Sequence, residues 1–458
     1  MTVEEKVGQM MQIDERALGY GGNITVYHIG SVLSGGGAWP QYAPNTPTAW
    51  ADMVDNFQAK ALNTRLRVPV LYGVDAVHGH NNVQGATIFP HHVGLGAAGN
   101  ASLVEEIAAA VAKEVAGTGV RWTFAPAVTV CLDPRWGRCY ESYGADPGLV
   151  TELAIAEIRG WMKVPPEAGK FPGSVFMAPT AKHYVGDGGT RGGVDRGETV
   201  GGEAELRKVH LLPYVAAVAE GVSTIMASYS SWNGTKMHGN GYLLTDVLRK
   251  ELGFVGLMVS DWEALKELPG SYEDQVALGV NSGLHMIMVP NDFANFSATL
   301  TALVNSGRVP MSRIDEAVSR VLSLKHSLGE PPYAEYKGDN QQLELSGPAR
   351  STIFGICGRI PCVVVVVSGR PLNVTGMLPH LDALIAAWLP GSEGGGVADV
   401  LFDEAVDFKG KLPLPWFRSV RDLQPDHSWP NPPLFPMGFG LSKTGESIGN
   451  REGGEGPP

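Results

Sequence analysis

One short segment, Gly256-Leu-Met-Val-Ser-Asp-Trp-Glu-Ala264, indicates both the fold and the chemistry of this chain. Its apolar half predicts a buried strand, which ends in a carboxylate, Asp261, followed by an indole, Trp262. Parallel α/β barrels present catalytic acids in this way, at the carboxyl ends of their strands. An aspartate after an apolar run is also a common helix N-cap, so the other strand ends must decide between the two interpretations.

Similar apolar runs alternate with helical segments through the first part of the chain. Apolar periodicity predicts helices over Leu103–Ala116, Glu203–Glu220 and Met311–Leu328. Continuous apolar strands that alternate with helices are typical of a parallel α/β fold. Six such strands favour a (β/α)8-type barrel over residues 1–328 rather than a short open sheet. The predicted strands are Val68–Val74, Trp122–Ala127, Val175–Ala178, Ser223–Ala227, Val255–Val259 and His285–Val289.

A second region begins near Gly329, where prolines and glycines mark a junction. Two buried strands are predicted in it, Val363–Val367 and Ala383–Trp388, and a glycine-rich turn then leads into a helix. These elements predict part of an α/β sandwich over residues 329–441, which is small for a full parallel sheet. Residues 442–458 are polar and glycine-rich, and we expect them to be a disordered tail.

The composition excludes several classes of function. The 458 residues carry a net charge of −12 without a basic cluster, which argues against nucleic-acid binding. No apolar run is long enough to span a membrane. We expect neither a cofactor nor a metal, because the cysteines lack zinc-site spacing and His78 and His80 lack a suitably spaced carboxylate. We also expect the chain to act as a monomer.

The four cysteines form two close pairs, Cys131 with Cys139 and Cys357 with Cys362. This spacing indicates two small-loop disulfides and an oxidising compartment, with four buried thiols as the alternative. Five Asn-x-Ser/Thr sequons give weak further support for secretion. No signal peptide precedes the helix predicted after Met1, so we expect an incomplete copy of a secreted protein.

Polar and aromatic side chains follow the predicted strands, at the end where parallel strands converge. A set of acids, bases and rings on one rim predicts a pocket. Charged groups that bind paired hydroxyls, together with rings that cover apolar sugar faces, suit a carbohydrate substrate. The residues concerned are Asp75, Arg138, Lys182, His183, Tyr229, Asp261 and Trp262, with Met226 a candidate for the pocket floor.

Cleavage of a glycosidic bond requires two carboxyl groups, and Asp261 is the candidate nucleophile. Glu335 lies in a polar loop of the second region, which could cover a barrel mouth, exclude water and so act as the partner acid. A solvated loop carboxylate is an equally good interpretation of Glu335. The full set of candidates for the partner acid is Glu141, Asp187, Glu263 and Glu335.

Five segments carry motifs that chance does not explain. They are Gly73-Val-Asp-Ala-Val-His-Gly-His-Asn-Asn82, Asp133-Pro-Arg-Trp-Gly-Arg-Cys-Tyr-Glu-Ser142, Ala181-Lys-His-Tyr-Val-Gly-Asp-Gly-Gly-Thr190, Met226-Ala-Ser-Tyr-Ser-Ser-Trp-Asn-Gly234 and Val259-Ser-Asp-Trp-Glu263. Together they resemble glycoside hydrolase family 3, above all its plant-type β-D-glucan exohydrolases and β-glucosidases. The resemblance covers nearly the whole chain. It implies a retaining, exo-acting hydrolase of β-glucans and β-glucosides, with an N-terminal barrel-like domain, a C-terminal α/β sandwich and a pocket between them.

The resemblance also implies a role for each candidate residue. Asp261 matches the family nucleophile, and Glu335 matches the acid/base that the second domain supplies. Trp262 matches one wall of the aromatic clamp around the next sugar. Both cysteine pairs match family disulfides, and the family implies an extracellular location, in the apoplast or cell wall. The innermost glucose subsite is matched by Asp75, Arg138, Lys182, His183 and Tyr229.

The chain departs from the family pattern after the predicted barrel. Leu324-Lys-His-Ser-Leu-Gly329 runs almost directly into Glu330-Pro-Pro-Tyr333, where the family has a linker and the first half of the sandwich domain. A parallel sheet without its first strands exposes edges and apolar surface. The alternative to an active enzyme is therefore a catalytically impaired truncated paralogue, or a gene-model product, that at most binds glucan.

Smaller departures change charges near the predicted pocket. The family's Gly-Ile-Asn-Glu loop reads Gly193-Val-Asp-Arg196, so a sugar-binding carboxylate is replaced by Arg196 or served by Asp195. Glu267 or its neighbour stands where this branch has a basic residue. A third interpretation, a β-N-acetylglucosaminidase of the same family, is weak because Asp187 stands where that branch has its acid/base histidine.

Overall fold

The chain folds into two compact units of α-helices and parallel β-sheets. The structure is a computed structural model that describes residues 1–163, 177–328, 343–345, 347–357, 360–367, 371–388, 400–401, 405–408, 410–412, 415–423 and 431–445. The described residues up to Leu328 form unit 1, and those from residue 343 onward form unit 2. The predicted α/β class is therefore confirmed.

Eight parallel strands and one hairpin make up the sheets in the described part of unit 1. They are β1 (Met11–Asp14), β2 (Ser31–Ser34), β3 (Leu71–Val74), β4 (Trp122–Thr123), β5 (Thr180–Tyr184), β6 (Thr224–Ala227), the hairpin β7 (Ser231–Trp232) and β8 (Thr235–Lys236), β9 (Leu257–Val259) and β10 (Ile287–Met288). One sheet has the order β10-β1-β2-β3-β4 and the other β5-β6-β9. Single parallel bridges, Trp122–Ala178 and Val259–Met286, connect their edges.

The helices of unit 1 cover these sheets, and side-chain caps fix where several begin. They are α1 (Val3–Gln9), α2 (Glu15–Leu18), α3 (Gly22–Tyr27), α4 (Pro47–Leu62), α5 (His92–Ala98), α6 (Ala101–Gly117), α7 (Pro147–Met162), α8 (Glu203–Glu205), α9 (Leu212–Ala219), α10 (Tyr272–Ser282), α11 (Phe293–Asn305) and α12 (Met311–Ser327), with π-helical turns over Leu206–His210 and Tyr242–Glu251. Thr2 and Ser271 form capping boxes at α1 and α10. Asn100 and Asp146 accept backbone hydrogen bonds at the starts of α6 and α7.

The strand ends of unit 1 lie at one edge because neighbouring strands run parallel. Strands β1, β2 and β3 are buried over their whole length. Their register places Gln12 opposite Ser31 and Val32 opposite Tyr72. Loops that leave the carboxyl ends of these strands therefore start close together, which is the geometry that a shared pocket needs.

Three predictions about elements of unit 1 need correction. The strand predicted over Val175–Ala178 extends further along the chain: residues 175 and 176 lie outside the described residues, Ala178 forms a single bridge with Trp122, and β5 covers Thr180–Tyr184 after the interruption at Pro179, which has no amide to donate. Lys182 and His183 therefore lie inside β5 rather than after it. The single helix predicted over Glu203–Glu220 is divided by a π-helical turn before Pro213. Strands β1 and β2 were not predicted at all, because polar residues interrupt their apolar pattern.

The elements of unit 2 with fully described bounds are one helix, one pair of parallel strands and two short turns. The helix is α13 (Gly347–Ile356), and the strands are β11 (Val363–Val367) and β12 (Ala383–Trp388), at the predicted positions. In register, Val363 lies opposite Ala383. Short 3₁₀ turns over Leu378–His380 and Val420–Asp422 complete it.

Both predicted disulfides are present, one in each unit. Cys131 pairs with Cys139 across a Cα separation of 5.5 Å, and Cys357 pairs with Cys362 across 5.3 Å. The alternative of four free thiols is therefore wrong. In the described part of the chain, no helix is long and apolar enough to cross a membrane.

Candidate active site

A pocket of about 240 Å³ lies at the carboxyl ends of the unit 1 strands. It contains every pocket residue that the sequence predicted in the first region: Asp75, Arg138, Lys182, His183, Met226, Tyr229, Asp261 and Trp262. These residues come from five different strands or the loops that follow them. The pocket wall is completed by Leu33, Gly35, Phe124, Arg196 and Met288. Apart from Arg196, these carry no signal that separates them from ordinary core residues.

Cations and carboxylates alternate along the floor of the pocket. The buried Lys182 Nζ donates to Asp75 Oδ1 at 2.8 Å, which joins β5 to the end of β3. Arg138 Nη2 lies 3.1 Å from His183 Nε2, and His183 Nδ1 lies 2.9 Å from Asp187 Oδ2. Charged donors and acceptors are thus held in fixed positions where they can face a ligand rich in hydroxyls.

Glu141 orients Arg138 through two parallel hydrogen bonds of 2.7 and 3.0 Å. Burial alone would raise the pKa of Glu141, but hydrogen bonds and charge from Arg138 outweigh that effect and lower it to about 2. Burial would likewise lower the pKa of Arg138, but Glu141 and the nearby aspartates raise it. The pair therefore stays ionised, and the guanidinium remains a rigid donor at the pocket floor.

Asp261 is positioned by backbone contacts on both of its sides. Its amide donates to His238 Nε2 at 3.0 Å, and the Trp262 amide donates to Asp261 Oδ1 at 2.7 Å. The second carboxylate oxygen, Oδ2, lies 3.7 Å from His183 Nε2. One oxygen is thus held by the backbone, and the other faces the pocket floor.

His238 contacts the candidate nucleophile and was not predicted from the sequence. It is fully buried, and burial, with charge from His183 and Lys236, lowers its pKa to about 3. The ring is therefore neutral near pH 7, and its Nε2 can accept from the Asp261 amide. It lies in a turn after the β7–β8 hairpin, a position that no pattern in the sequence connects with Asp261.

Arg196 and Glu267, the two residues near the pocket whose charge differs from the family pattern, contact each other in the structure. Arg196 forms an ion pair with Glu267, and its guanidinium carbon lies 3.8 Å from the centre of the Tyr229 ring. Lys236 Nζ donates to Glu267 at 2.9 Å and to the Tyr229 carbonyl at 2.9 Å. Asp195 accepts from the Trp136 indole at 3.0 Å and also lies 3.8 Å from Arg196 Nε. Arg196, rather than Asp195, therefore lines the pocket wall, with Glu267 as its counter-ion.

Tyr229 connects this ion pair to the candidate nucleophile. Its hydroxyl donates to the Trp262 carbonyl at 2.5 Å. Burial raises the pKa of Tyr229, and the negative charge of Asp261 raises it further. The phenol therefore keeps its proton and holds the backbone that follows Asp261.

Three of the four candidates for the partner acid are engaged in other contacts. Glu141 is bound by Arg138, Asp187 by His183 and the Thr129 hydroxyl, and Glu263 by Lys266. Glu335, the fourth candidate, lies outside the described residues.

The histidines that suggested a metal pair have structural partners. His78 Nδ1 lies 3.0 Å from the Phe89 carbonyl, and His80 Nε2 lies 3.0 Å from the Thr118 hydroxyl. Among the described residues, no group of three histidine, cysteine or acidic side chains could hold a metal ion. Trp136, in the second of the family motifs, is buried.

Comparison with known proteins adds a family to this geometry. Residues 2–324 match the glycosyl hydrolase family 3 N-terminal domain, and residues 274–443 match the corresponding C-terminal domain. The chain belongs to glycoside hydrolase family 3. A lysosomal beta glucosidase from Dictyostelium discoideum is 35% identical over 72% of this chain and 43% of its own length. A periplasmic beta-glucosidase from Salmonella typhimurium is 32% identical over 73% of this chain and 42% of its own length.

A solved family 3 structure resembles nearly the whole chain. An exo-1,3/1,4-beta-glucanase from a Pseudoalteromonas species has a TM-score of 0.66 and 32% identity, and the match covers 96% of this chain and 73% of that one. The predicted resemblance to β-glucosidases and exoglucanases of family 3 is confirmed. The chain spans less than half the length of the two curated relatives named above.

Proposed function

We propose that this family 3 chain is a retaining, exo-acting glycoside hydrolase that releases β-D-glucose from the non-reducing end of β-glucans and β-glucosides. One observation carries the proposal: the Asp261 carboxylate lies in a pocket whose floor is the Asp75–Lys182 and Arg138–His183 network. The cavity of about 240 Å³ is smaller than the roughly 300–1,000 Å³ of many ligand sites, which suits a single terminal sugar.

In the proposed first step, an Asp261 oxygen attacks the anomeric carbon and forms a covalent glycosyl-enzyme. The bond to the leaving oxygen breaks, and that oxygen takes a proton from the acid/base. In the second step the acid/base removes a proton from water, water attacks the anomeric carbon, and the Asp261–sugar bond breaks. The backbone amide that binds Oδ1 leaves Oδ2 as the oxygen that faces the substrate.

We propose Glu335 as the acid/base. Its support is the family resemblance of its loop, together with the engagement of Glu141, Asp187 and Glu263 in other contacts. In a retaining enzyme the two carboxyl groups lie about 5–5.5 Å apart.

The proposed innermost subsite uses the charged floor to bind sugar hydroxyls. Asp75 and Lys182 form one paired acceptor and donor, and Arg138 and His183 form another. Met226 would pack below the ring, Tyr229 would contact its edge, and Trp262 would stack on the sugar that follows. kcat/KM should therefore fall more when hydroxyls of the terminal sugar are removed than when the leaving group is changed.

The test is hydrolysis of an aryl β-glucoside by wild type and by Asp261→Ala. We expect kcat to fall on the order of 10⁴-fold or more, because the covalent step is lost. Glu335→Ala should lose about 10²-fold or more on a natural disaccharide, where the leaving group needs a proton. Asp246→Ala is the matched control, since Asp246 is exposed and pairs only with Lys250 among the contacts described for it.

Four outcomes would change the proposal. Full activity of Asp261→Ala would remove Asp261 from its role. Release of α-glucose as the first product, seen by NMR, would contradict retention. Preference for an aryl β-N-acetylglucosaminide would assign the chain to the other branch of the family. Glucan binding without any turnover of wild type would favour the truncated, catalytically impaired alternative.

We also propose a finer architecture than the α/β class. The two bridges between the sheet edges support a closed (β/α)8-type barrel over residues 1–328. Residues 329–441 would then form a partial α/β sandwich that lacks the first half of the family domain, with residues 442–458 as a tail.

We propose that the chain acts as a monomer in an oxidising compartment, outside the cytosol. The two disulfides support this location. The names of two relatives, one lysosomal and one periplasmic, support it as well. An extracellular or cell-wall location is the finer form of the same proposal.

A further inference from the structure

Three aromatic side chains are exposed on the loops that leave β1 and β2. Tyr20 is 74% exposed, Trp39 is 54% exposed and Tyr42 is 65% exposed. The Tyr20 and Tyr42 rings stack on each other, with centroids 4.7 Å apart and planes 16° apart. Solvent-facing aromatic rings that gather in one place are typical of binding surfaces rather than of random surface composition.

These loops start at the same edge of the sheet as the pocket. Gly35 follows β2 directly and lines the pocket, and a Cβ at Gly35 would lie 3.5 Å from the Trp262 ring. Trp39 is four residues further on, so it lies within about 14 Å of Gly35 even if the chain is fully extended. The loop that carries Trp39 therefore leaves the pocket beside Trp262.

The loop that carries Trp39 is held in place by backbone contacts. The Gly37 amide donates to Asn82 Oδ1 at 3.0 Å, and Asn45 Nδ2 donates to the Asn82 carbonyl at 2.8 Å. The Ala38 amide donates back to Gly35 at 3.1 Å. A preorganised loop loses little entropy when a ligand covers its rings.

The two segments that carry the three rings contain no charged residue, and Arg16, which precedes the first of them and lies near Gly35, is paired with Asp14. Residues 35–51 and 17–27 contain no lysine, arginine, aspartate or glutamate. The composition therefore fits a neutral ligand with alternating apolar faces and hydroxyls, and it offers nothing to an anionic one. Half of the exposed aromatic residues in the described part of the chain lie here; the others are Tyr140, Tyr242 and Phe354.

We propose that Tyr20, Trp39 and Tyr42 form an aromatic platform that binds sugar rings of a β-glucan several residues away from the bond being cleaved. The inference rests on the proposed function, since it extends the same substrate beyond the pocket. The platform would hold the reducing-end part of the chain while its terminal glucose enters the pocket. It would thereby favour long glucans over short glucosides.

The test compares the double variant Trp39→Ala/Tyr42→Ala with wild type on two substrates. On an aryl β-glucoside, which fills only the pocket, kcat/KM should stay within about twofold because no ring beyond the pocket is contacted. On a soluble β-glucan or a six-residue oligosaccharide, kcat/KM should fall about tenfold, the effect of losing roughly 1.4 kcal/mol of stacking. Tyr242→Ala is the matched control, because Tyr242 is an exposed tyrosine of the π-helical turn over Tyr242–Glu251 and does not line the pocket, so its loss should change neither value.

A binding measurement keeps this inference separate from the activity. Calorimetric titration of the Asp261→Ala protein with the six-residue oligosaccharide should give an affinity that falls about tenfold when Trp39 and Tyr42 are also replaced. This result is expected even if wild type shows no turnover, in which case the proposed function alone fails. Equal losses of kcat/KM on the aryl β-glucoside and on the glucan, or an unchanged affinity for the oligosaccharide, would contradict the proposed platform. A change from dimer to monomer in light scattering, without loss of glucan affinity, would assign the surface to self-association instead.

Discussion

The parallel strands of the two units differ in how completely their apolar side chains are covered. In unit 1, Val32 of β2 is fully buried, and so are its neighbours along that strand. In unit 2, β11 consists of five valines, yet Val363 is 52% exposed and Val366 is buried. Parallel sheets are normally covered on both faces, and their strands are rich in valine. A strand of five valines is therefore typical of a sheet with more covering elements than the described part of unit 2 contains.

The described part of unit 1 therefore combines a pocket with well-covered strands, whereas the described strands of unit 2 are partly exposed. Unit 1 buries its strands and places ion pairs at their ends, so its side chains have defined positions. The described core of unit 2 is small and consists of Ile353, Cys357, Val374, Met377 and Trp416. We infer that changes in unit 1 affect both stability and chemistry, whereas changes on the exposed face of unit 2 affect neither strongly.

The largest expected effect comes from a buried ion pair in unit 1. Glu157 accepts from the Tyr143 hydroxyl and from the Trp161 indole, and it lies 3.1 Å from His92 Nε2. Burial lowers the pKa of His92, but Glu157 outweighs it and raises that pKa. Glu157→Ala leaves three buried polar groups without this partner, so we expect a loss of about 3–5 kcal/mol in urea denaturation.

The matched change in unit 2 is Glu344→Ala, which removes an exposed ion pair with Arg350. Exposed pairs contribute little, so the free energy of unfolding should change by less than about 1 kcal/mol. Similar losses for Glu157→Ala and Glu344→Ala would contradict the proposed contrast between the units.

A pair of valine substitutions measures the difference in burial directly. Val32→Ala should lower the free energy of unfolding by about 1.5–3 kcal/mol, because a fully buried side chain is shortened. Val363→Ala should change it by less than about 0.5 kcal/mol, because its side chain is half exposed. Both values come from urea denaturation followed by circular dichroism. A large loss for Val363→Ala would mean that β11 is covered in solution.

Acid should destabilise unit 1 through its buried neutral histidines. The pKa of His238 is about 3 in the folded protein and about 6.5 in the unfolded chain. Protons therefore bind the unfolded chain first, so this stability is present above pH 6.5 and is lost as the pH falls toward 3. The loss amounts to about 1.4 kcal/mol per pH unit at most. His80 and His285, whose burial lowers their pKa to about 4, act with the same sign.

His238→Gln isolates one part of this effect. The glutamine oxygen can still accept from the Asp261 amide, but the side chain does not titrate. We expect a shallower fall of the unfolding free energy between pH 6.5 and pH 4.5 than in wild type. An unchanged slope would show that His238 is already protonated in the folded protein.

The sequence was sufficient to predict the residues that line the pocket, but not the buried residues that hold them in position. Asp75, Tyr229 and Asp261 follow apolar strands, and parallel strands bring such residues together whatever the loops do. His238 and Glu157 could not be predicted, because a buried polar residue in a turn or helix looks like a surface residue until its partners are known. Strands β1 and β2 escaped prediction because Gln12 and Ser31 pair with each other inside unit 1, where a polar pair replaces the apolar pattern.

The smallest effect on stability, and the most specific effect on function, is expected from the Arg196–Glu267 pair. Both side chains are partly exposed, so the single variants Arg196→Glu and Glu267→Arg should each change stability by less than about 1 kcal/mol. Their effect on kcat/KM for a β-glucoside should be larger, about fivefold to tenfold, since Glu267 holds Arg196 over the Tyr229 ring at the pocket wall.

The double variant Arg196→Glu/Glu267→Arg exchanges the charges and restores a pair. It should recover kcat/KM to within about threefold of wild type, which a double-mutant cycle would report as a coupling of about 1.3–2 kcal/mol. The corresponding exchange of Glu344 and Arg350 in unit 2 should leave kcat/KM unchanged at every step. The two ion pairs have similar chemistry but different surroundings, since Glu267 also accepts from Lys236 and Arg196 lies over the Tyr229 ring. The pair in unit 1 positions the Tyr229 ring, which lines the pocket. We therefore expect it to affect kcat/KM more than the free energy of unfolding.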